Sequence, residues 1–136
     1  GSKKAMPRLA TGEPLYVCFA YKAKTMPIKV SLEVIWSNIR GERCLHFNSS
    51  RIGPILVLNS MNGEIVCQMP KCPLMPGDYT VRTKLYDIGG ELLDEVVDAA
   101  VINVVPGDFY GTGRLPASDM CSVLVEHVFF VKAAQE

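Results

Sequence analysis

Hydrophobic and polar residues alternate along most of this 136-residue chain, and a period of two is typical of β-strands with one buried face. In residues 28–36 every second residue is apolar, and Trp36 lies on the apolar side, so we expect it in the core. Residues 79–86 alternate as clearly. Their predicted inner face carries Tyr79, Val81, Thr83 and Leu85, and their predicted outer face carries Thr80, Arg82, Lys84 and Tyr86.

The same pattern predicts further strands at residues 15–22, 43–48, 54–58, 64–69, 92–97, 99–105 and 122–132. Asn62-Gly63 is a strong hairpin signal, so we expect residues 54–58 and 64–69 to pair with each other. Residues 92–97 are also compatible with a short helix. About eight to ten strands separated by Gly- and Pro-rich turns predict an all-β protein, an antiparallel β-sandwich of the immunoglobulin-like or jelly-roll type. A closed barrel is the alternative.

The first dozen residues are polar and basic and show no period. Gly1-Ser2 is typical of an expression tag. We therefore expect residues 1–12 to be a tag and linker remnant, and residues 13–136 to form one β-sandwich domain, for which the length is sufficient.

Charge and cysteine content narrow the class of protein. Fourteen basic and fourteen acidic residues give a net charge of zero, which argues against a nucleic-acid partner. No apolar run approaches the roughly 18 residues of a membrane span. Five cysteines and no secretory signal favour reduced thiols and a cytoplasmic location. We expect these cysteines to be small apolar residues on buried strands: Cys18, Cys44, Cys67, Cys72 and Cys121.

The glycine-rich segment 106–116, PGDFYGTGRLP, invites comparison with phosphate-binding loops. A Walker loop ends in Gly-Lys-Ser/Thr, whereas Gly113 here precedes Arg114 and Leu115. A dinucleotide-binding loop has the spacing G-x-G-x-x-G, which is absent. We interpret the segment as a structural turn between two strands.

Catalytic and metal sites find no support in the sequence. There is no G-x-S-x-G motif, and Cys67 and Cys72 have no second pair of ligands at zinc-site spacing. His46 and His127 lie in alternating strands without a nucleophile nearby. We expect no catalytic residue, no metal site and no cofactor.

A binding surface is better supported, because polar side chains follow each other on one side of the predicted strands. Arg82, Lys84 and Tyr86 are spaced i, i+2 and i+4 and so share a face. His46 and Asn48 form a second polar row, with Arg51 close behind. Sugar rings stack on aromatic side chains, and their hydroxyls bind charged and amide groups. These six residues are therefore our candidate carbohydrate-binding residues; the other interpretation is a solvated sheet face.

Three segments carry a resemblance to a known family: LMPGDY at residues 74–79, NVVPGDFYGTGR at residues 103–114 and VLVEH at residues 123–127. In their order and spacing they resemble the C-terminal carbohydrate-binding domain of Wzt, the ATPase subunit of ABC transporters that export O-antigen polysaccharide. The resemblance covers about residues 13–131. The family often has tryptophan soon after the histidine, where this chain has Val128-Phe129-Phe130.

The resemblance implies a non-catalytic module at the cytoplasmic face of the inner membrane, which recognises the capped non-reducing end of the glycan and licenses its export. The ATPase domain and the permease would be its partners. It also implies a homodimer, in some members formed by exchange of the terminal strand, with the glycine segment as hinge region. An acidic cap would engage Arg82, Lys84 or Arg51; a neutral methylated sugar would depend more on Tyr86 and His46. The alternative is a structural or protein-interaction sandwich that pairs through its edge strands.

Overall fold

A computed structural model describes residues 8–117 and 120–134, which form eight strands and one short helix in two facing sheets. The prediction of an all-β sandwich is confirmed, and the closed barrel is excluded. The elements are β1 (Arg8–Ala10), β2 (Leu15–Lys22), β3 (Ile28–Asn38), β4 (Arg43–Asn48), α1 (Ser49–Ile52), β5 (Leu56–Leu58), β6 (Asn62–Met69), β7 (Gly77–Asp87) and β8 (Leu92–Val105).

The large sheet has the strand order β1-β8-β7-β3-β4. The edge of β3 that faces away from β7 pairs with two strands: β4 pairs with residues 33–37, and β5 pairs with residues 28–30. The pairs of this sheet are antiparallel except for β1, which runs parallel to β8. The small sheet consists of β2 and β6, paired antiparallel from Leu15 opposite Met69 to Lys22 opposite Asn62. The two strands of the hairpin expected around Asn62-Gly63 therefore lie in different sheets, and that prediction is wrong.

The core lies between the sheets and is built from the alternating positions that the sequence marks. Trp36 is fully buried, as expected, and the inner residues of β3, β7 and β8 pack against those of β2 and β6. The contributing buried residues are Leu32, Val34, Trp36, Met69, Cys72, Leu74, Tyr79, Val81, Ile102 and Val104.

Residues 8–12 belong to the fold, although the sequence led us to expect a tag and linker remnant up to residue 12. β1 pairs with β8, and Thr11 is only 1% exposed. The Thr11 hydroxyl donates a hydrogen bond to the Leu74 carbonyl oxygen at 2.7 Å, and the Gly12 amide donates to the Cys72 carbonyl oxygen at 2.8 Å. These bonds tie the start of the domain to the β6–β7 connection. Residues 1–7 lie outside the described part.

The glycine-rich segment packs against this same start of the chain. A Cβ atom added to Gly107 would lie 2.1 Å from the Thr11 carbonyl oxygen, so the two backbones cross in contact. Phe109 is buried in a second small cluster with Met75 and Leu124. The segment therefore closes the end of the sandwich by packing.

The described residues 120–134 form no strand. Residues 92–97, which the sequence left open to a helix, are the first part of β8. In contrast, the strand expected at residues 122–132 is reduced to one isolated bridge between Val123 and Leu74. Beyond it, residues up to 134 have no regular secondary structure and no partner strand among the described residues.

Burial shifts the acid–base behaviour of one core residue. The interior disfavours the phenolate of Tyr79 and raises its pKa from 10.0 to about 12, with smaller contributions from Cys44 and Cys72. The Tyr79 hydroxyl donates to the Met75 carbonyl oxygen at 2.6 Å. Because the folded-state pKa is the higher one, this contribution to stability is complete below about pH 10 and is lost as the pH rises toward 12.

We therefore expect the urea midpoint of unfolding to fall between about pH 10 and pH 12. Tyr79→Phe has no phenol to ionise and should reduce this fall, although its loss of a hydrogen bond lowers stability by about 1 kcal/mol below pH 10. Tyr16→Phe, a change at an exposed tyrosine, is the control and should behave like the unchanged chain. An equal alkaline fall in Tyr79→Phe would assign the loss to other groups.

Candidate functional site

The candidate site is the outer face of the large sheet, where β4, β3, β7 and β8 lie side by side. Strand register arranges its residues in three rows that cross the strands. They are Asn48–Glu33–Lys84–Glu95, His46–Ile35–Arg82, and Ser31–Tyr86–Leu92. The alternation of each strand turns these positions away from the core, because their neighbours in sequence are the inner residues.

Five of the six predicted residues are brought together on this face: Arg82, Lys84, Tyr86, His46 and Asn48. Arg51 lies instead in α1, which follows β4, and its side chain is exposed. Asn48 is partly committed to local structure, since its Oδ1 accepts hydrogen bonds from the amide and hydroxyl of Ser50 and caps α1.

Two carboxylates that the sequence reasoning missed are central to the face. Glu95 pairs with the Arg82 guanidinium, and the hydrogen bond from Arg82 lowers the pKa of Glu95 below its ordinary value. Glu33 Oε2 lies 3.0 Å from His46 Nε2. Glu33 occupies an outward position of β3 in the sequence pattern, but only strand pairing reveals that it faces both Lys84 and Asn48. Glu95 reaches this face because residues 92–105 form one long strand, β8, which places Glu95 opposite Lys84.

Ile35 gives the face an apolar base. It points outward, yet it is only 4% exposed, so neighbouring side chains must cover it. Its neighbours in the row are His46 and Arg82, and the Arg82 Nε is buried with no hydrogen-bond partner. The polar groups of the face therefore surround an apolar centre, and Arg82 keeps one donor unused.

A groove separates the two sheets on the side where β2 and β8 face each other. It has a volume of about 720 Å³ and a mainly apolar lining that includes Leu32, Ile65 and Leu85. Lys22 and Lys24 lie along one side, and Leu93 and Val96 along the other. The groove is open because the small sheet has only two strands. Within the described residues, β1 covers β8 only from Asn103 to Val105.

The terminal segment, residues 125–134, leaves the sandwich with its apolar side chains exposed. Leu124 is still buried, and its amide donates to the Pro73 carbonyl oxygen at 2.7 Å. Lys71 holds Glu126 by an ion pair of 2.6 Å. Beyond these anchors, exposure rises to 91% at Phe129 and 99% at Val131.

The arrangement of the described residues supports neither a metal site nor a cysteine nucleophile. Among the described residues there is no group of three or more potential metal ligands. All five cysteines are free thiols; Cys72 is buried as expected, whereas Cys18 is exposed, so the expectation is wrong for Cys18. Burial raises the pKa of the Cys44, Cys67 and Cys72 thiols, which disfavours the nucleophilic thiolate. None of the described helices is long and apolar enough to cross a membrane.

Comparison with known proteins gives a likeness in fold. No family model and no curated protein matches this chain in sequence. The crystal structure of the C-terminal domain of Wzt superimposes with a TM-score of 0.70 and 12% sequence identity, over 92% of this chain and 74% of that one. At this identity the match establishes the shared sandwich fold, in agreement with the sequence resemblance.

Proposed function

We propose that this chain is a carbohydrate-binding module without catalytic activity, which recognises the capped non-reducing end of an O-antigen polysaccharide. The observation that carries the proposal is the fold shared with the Wzt C-terminal domain over 92% of the chain. In this proposal, occupation of the module by a finished glycan licenses export by an ABC transporter. Its partners are the transporter's ATPase domain and permease, and it works at the cytoplasmic face of the inner membrane.

The outer face of the large sheet is the proposed glycan site. It presents Arg82, Lys84, Tyr86, His46 and Asn48 on one rigid surface, with Arg51 at its margin. Tyr86 offers a ring for stacking against the apolar face of a sugar. The basic and amide groups offer donors for its hydroxyls, and hydrogen bonds that involve a charged group contribute about 1.5–3 kcal/mol each.

Arg82→Ala and Tyr86→Ala should each weaken binding of the native capped O-polysaccharide about tenfold or more, because each removes a direct contact. Their melting curves should change little. Tyr16→Ala is the matched control: Tyr16 is exposed on the outer face of the small sheet, and its loss should leave affinity unchanged. Calorimetry that finds equal affinity in all four proteins would place the glycan elsewhere.

The proposal includes a homodimer in which two copies exchange their terminal segments. Each segment would lie in the partner's groove along the free edge of β8, where its backbone completes the sheet and its apolar side chains enter the groove. The supporting observations are the exposed apolar residues of the terminal segment, the long uncovered edge of β8 and the apolar lining between the sheets. The buried Leu124 favours a pivot just after it, in place of the glycine segment that the sequence suggested.

A protein-interaction sandwich is the second candidate, and one observation favours it. The first half of β8, with exposed Leu92, Leu93, Val96 and Val97, is the kind of edge to which a foreign strand adds. NMR titration separates the two candidates. Shifts on the outer face with capped O-polysaccharide support the glycan module, whereas no shift with any lipopolysaccharide glycan supports the protein-partner alternative.

A further inference from the structure

At the centre of the outer face, basic side chains are already paired with carboxylates. Glu95 holds Arg82, and Glu33 holds His46. Lys84 lies between the two carboxylates in one row, directly opposite Glu33 on β3 and Glu95 on β8. At the centre of the face, two carboxylates thus lie beside two permanent cations and a histidine, so a ligand there meets acceptors and donors in alternation.

We infer that the outer face binds a neutral, hydroxyl-rich sugar unit, with Glu33 and Glu95 as the acceptors that select it. This inference rests on the proposed function and names its ligand class. A carboxylate offers about four lone-pair sites, and each of these two spends one on its basic partner. The remaining sites can accept sugar hydroxyls, while Lys84, which lies between the two carboxylates, donates to the same hydroxyls.

An acidic sugar fits this arrangement poorly. Its carboxylate or phosphate would lie beside Glu33 or Glu95, and it would have to take Arg82 from a partner that already neutralises it. A hydroxyl is both donor and acceptor, so it can bridge a carboxylate and an ammonium without displacing either. Tyr86, in the adjoining row, is placed to stack on the apolar face of the same ring. These features favour the neutral ligand of the two classes, acidic and neutral, that the sequence left open.

The test compares a panel of neutral O-polysaccharide fragments, including O-methylated hexoses, with matched fragments that end in a hexuronic acid or a phosphate. Backbone NMR follows the amides of Glu33, Lys84, Tyr86 and Glu95. The neutral fragments should bind on the outer face, with an affinity that changes less than about twofold between 50 and 500 mM salt, because no net charge is neutralised. The acidic fragments should bind at least about tenfold more weakly.

Glu33→Gln and Glu95→Gln should weaken binding of the neutral fragments about tenfold. They should also reduce or reverse the difference in affinity between the neutral and the acidic fragments. Glu42→Gln is the matched control, since Glu42 is also exposed and also paired with an arginine, Arg40, but lies in the β3–β4 turn. Melting curves of all three variants verify folding.

Each outcome has a distinct meaning. Acidic fragments that bind more tightly on the outer face overturn the neutral ligand class and leave the proposed function standing. Neutral fragments that bind equally well to Glu33→Gln and Glu95→Gln overturn the role of the two carboxylates. No shift with any fragment of the panel overturns the proposed function as well.

Discussion

Phe129→Asp with Phe130→Asp is expected to convert the proposed dimer into a 14.9-kDa monomer. In the proposed dimer these side chains leave water for the partner's groove, whereas in a single chain they are 91% and 82% exposed. Each aspartate forgoes the burial of a phenylalanine side chain in that groove, which stabilises by about 1.5–3 kcal/mol per side chain. The dimer dissociation constant should therefore rise about a hundredfold or more, which is about 2.8 kcal/mol. Sedimentation equilibrium measures it directly.

The control is Ile39→Asp with Ile52→Asp, which alters two residues of similar exposure, 83% and 87%, outside the terminal segment and the groove. This pair adds the same charge and should leave the dimer intact. If the unchanged chain sediments as a monomer at tens of micromolar, strand exchange is excluded. If both double variants remain dimeric, the interface lies on another surface.

A second pair of variants tests the groove side of the proposed interface. Val96 lines the groove and is half-exposed, while Val66 is exposed to a similar degree on the outer face of the small sheet. Val96→Asp should weaken the dimer, and Val66→Asp should not. A dimer that tolerates Val96→Asp but not the phenylalanine changes would place the exchanged segment along another edge, such as that of β2.

Local alternation predicted the strands well, because apolar residues occupy most of the inner positions of β2, β3 and β7. It could not assign partners. Asn62-Gly63 has the composition of a hairpin turn, yet β5 pairs with β3 and β6 with β2, since burying the inner residues of both sheets outweighs the local turn preference. The terminal segment likewise alternates as a strand, but an edge strand needs a partner, and the described residues of a single chain offer it only the bridge at Val123.

The candidate site was predicted only in part, because alternation along one strand does not show which residues of other strands lie beside it. Spacing along β7 placed Arg82, Lys84 and Tyr86 on one side, and the structure agrees. The roles of Glu33 and Glu95 depend on the register across three strands. The pattern within a single strand gives no information about that register. Arg51 was assigned to the group by closeness in sequence, and α1 carries it to the margin of the face.

Gly107→Ala is expected to destabilise the fold by about 3 kcal/mol or more, although it adds one methyl group to a solvent-accessible loop. The methyl carbon would stand 2.1 Å from the Thr11 carbonyl oxygen and 3.1 Å from the Ala10 Cβ. Neither neighbour can yield easily. Ala10 is paired with Val105 in the sheet, and Thr11 is fixed by its hydrogen bond to Leu74. A clash with paired backbone exceeds the 1–3 kcal/mol typical of overpacking by side chains.

Two other glycines separate this clash from the general effects of the substitution. Gly53→Ala, in extended backbone with nothing within 4 Å of the new methyl group, should be nearly neutral. Gly111→Ala has equal space but a φ of +77°, so it should cost only the left-handed penalty of about 1–2 kcal/mol. Urea unfolding should therefore rank the three as Gly107, Gly111 and Gly53. If Gly107→Ala has the same urea midpoint as Gly53→Ala, the crossing of the two backbones does not stabilise this end of the sandwich. A ligand-binding role for the glycine segment would then have to be considered again.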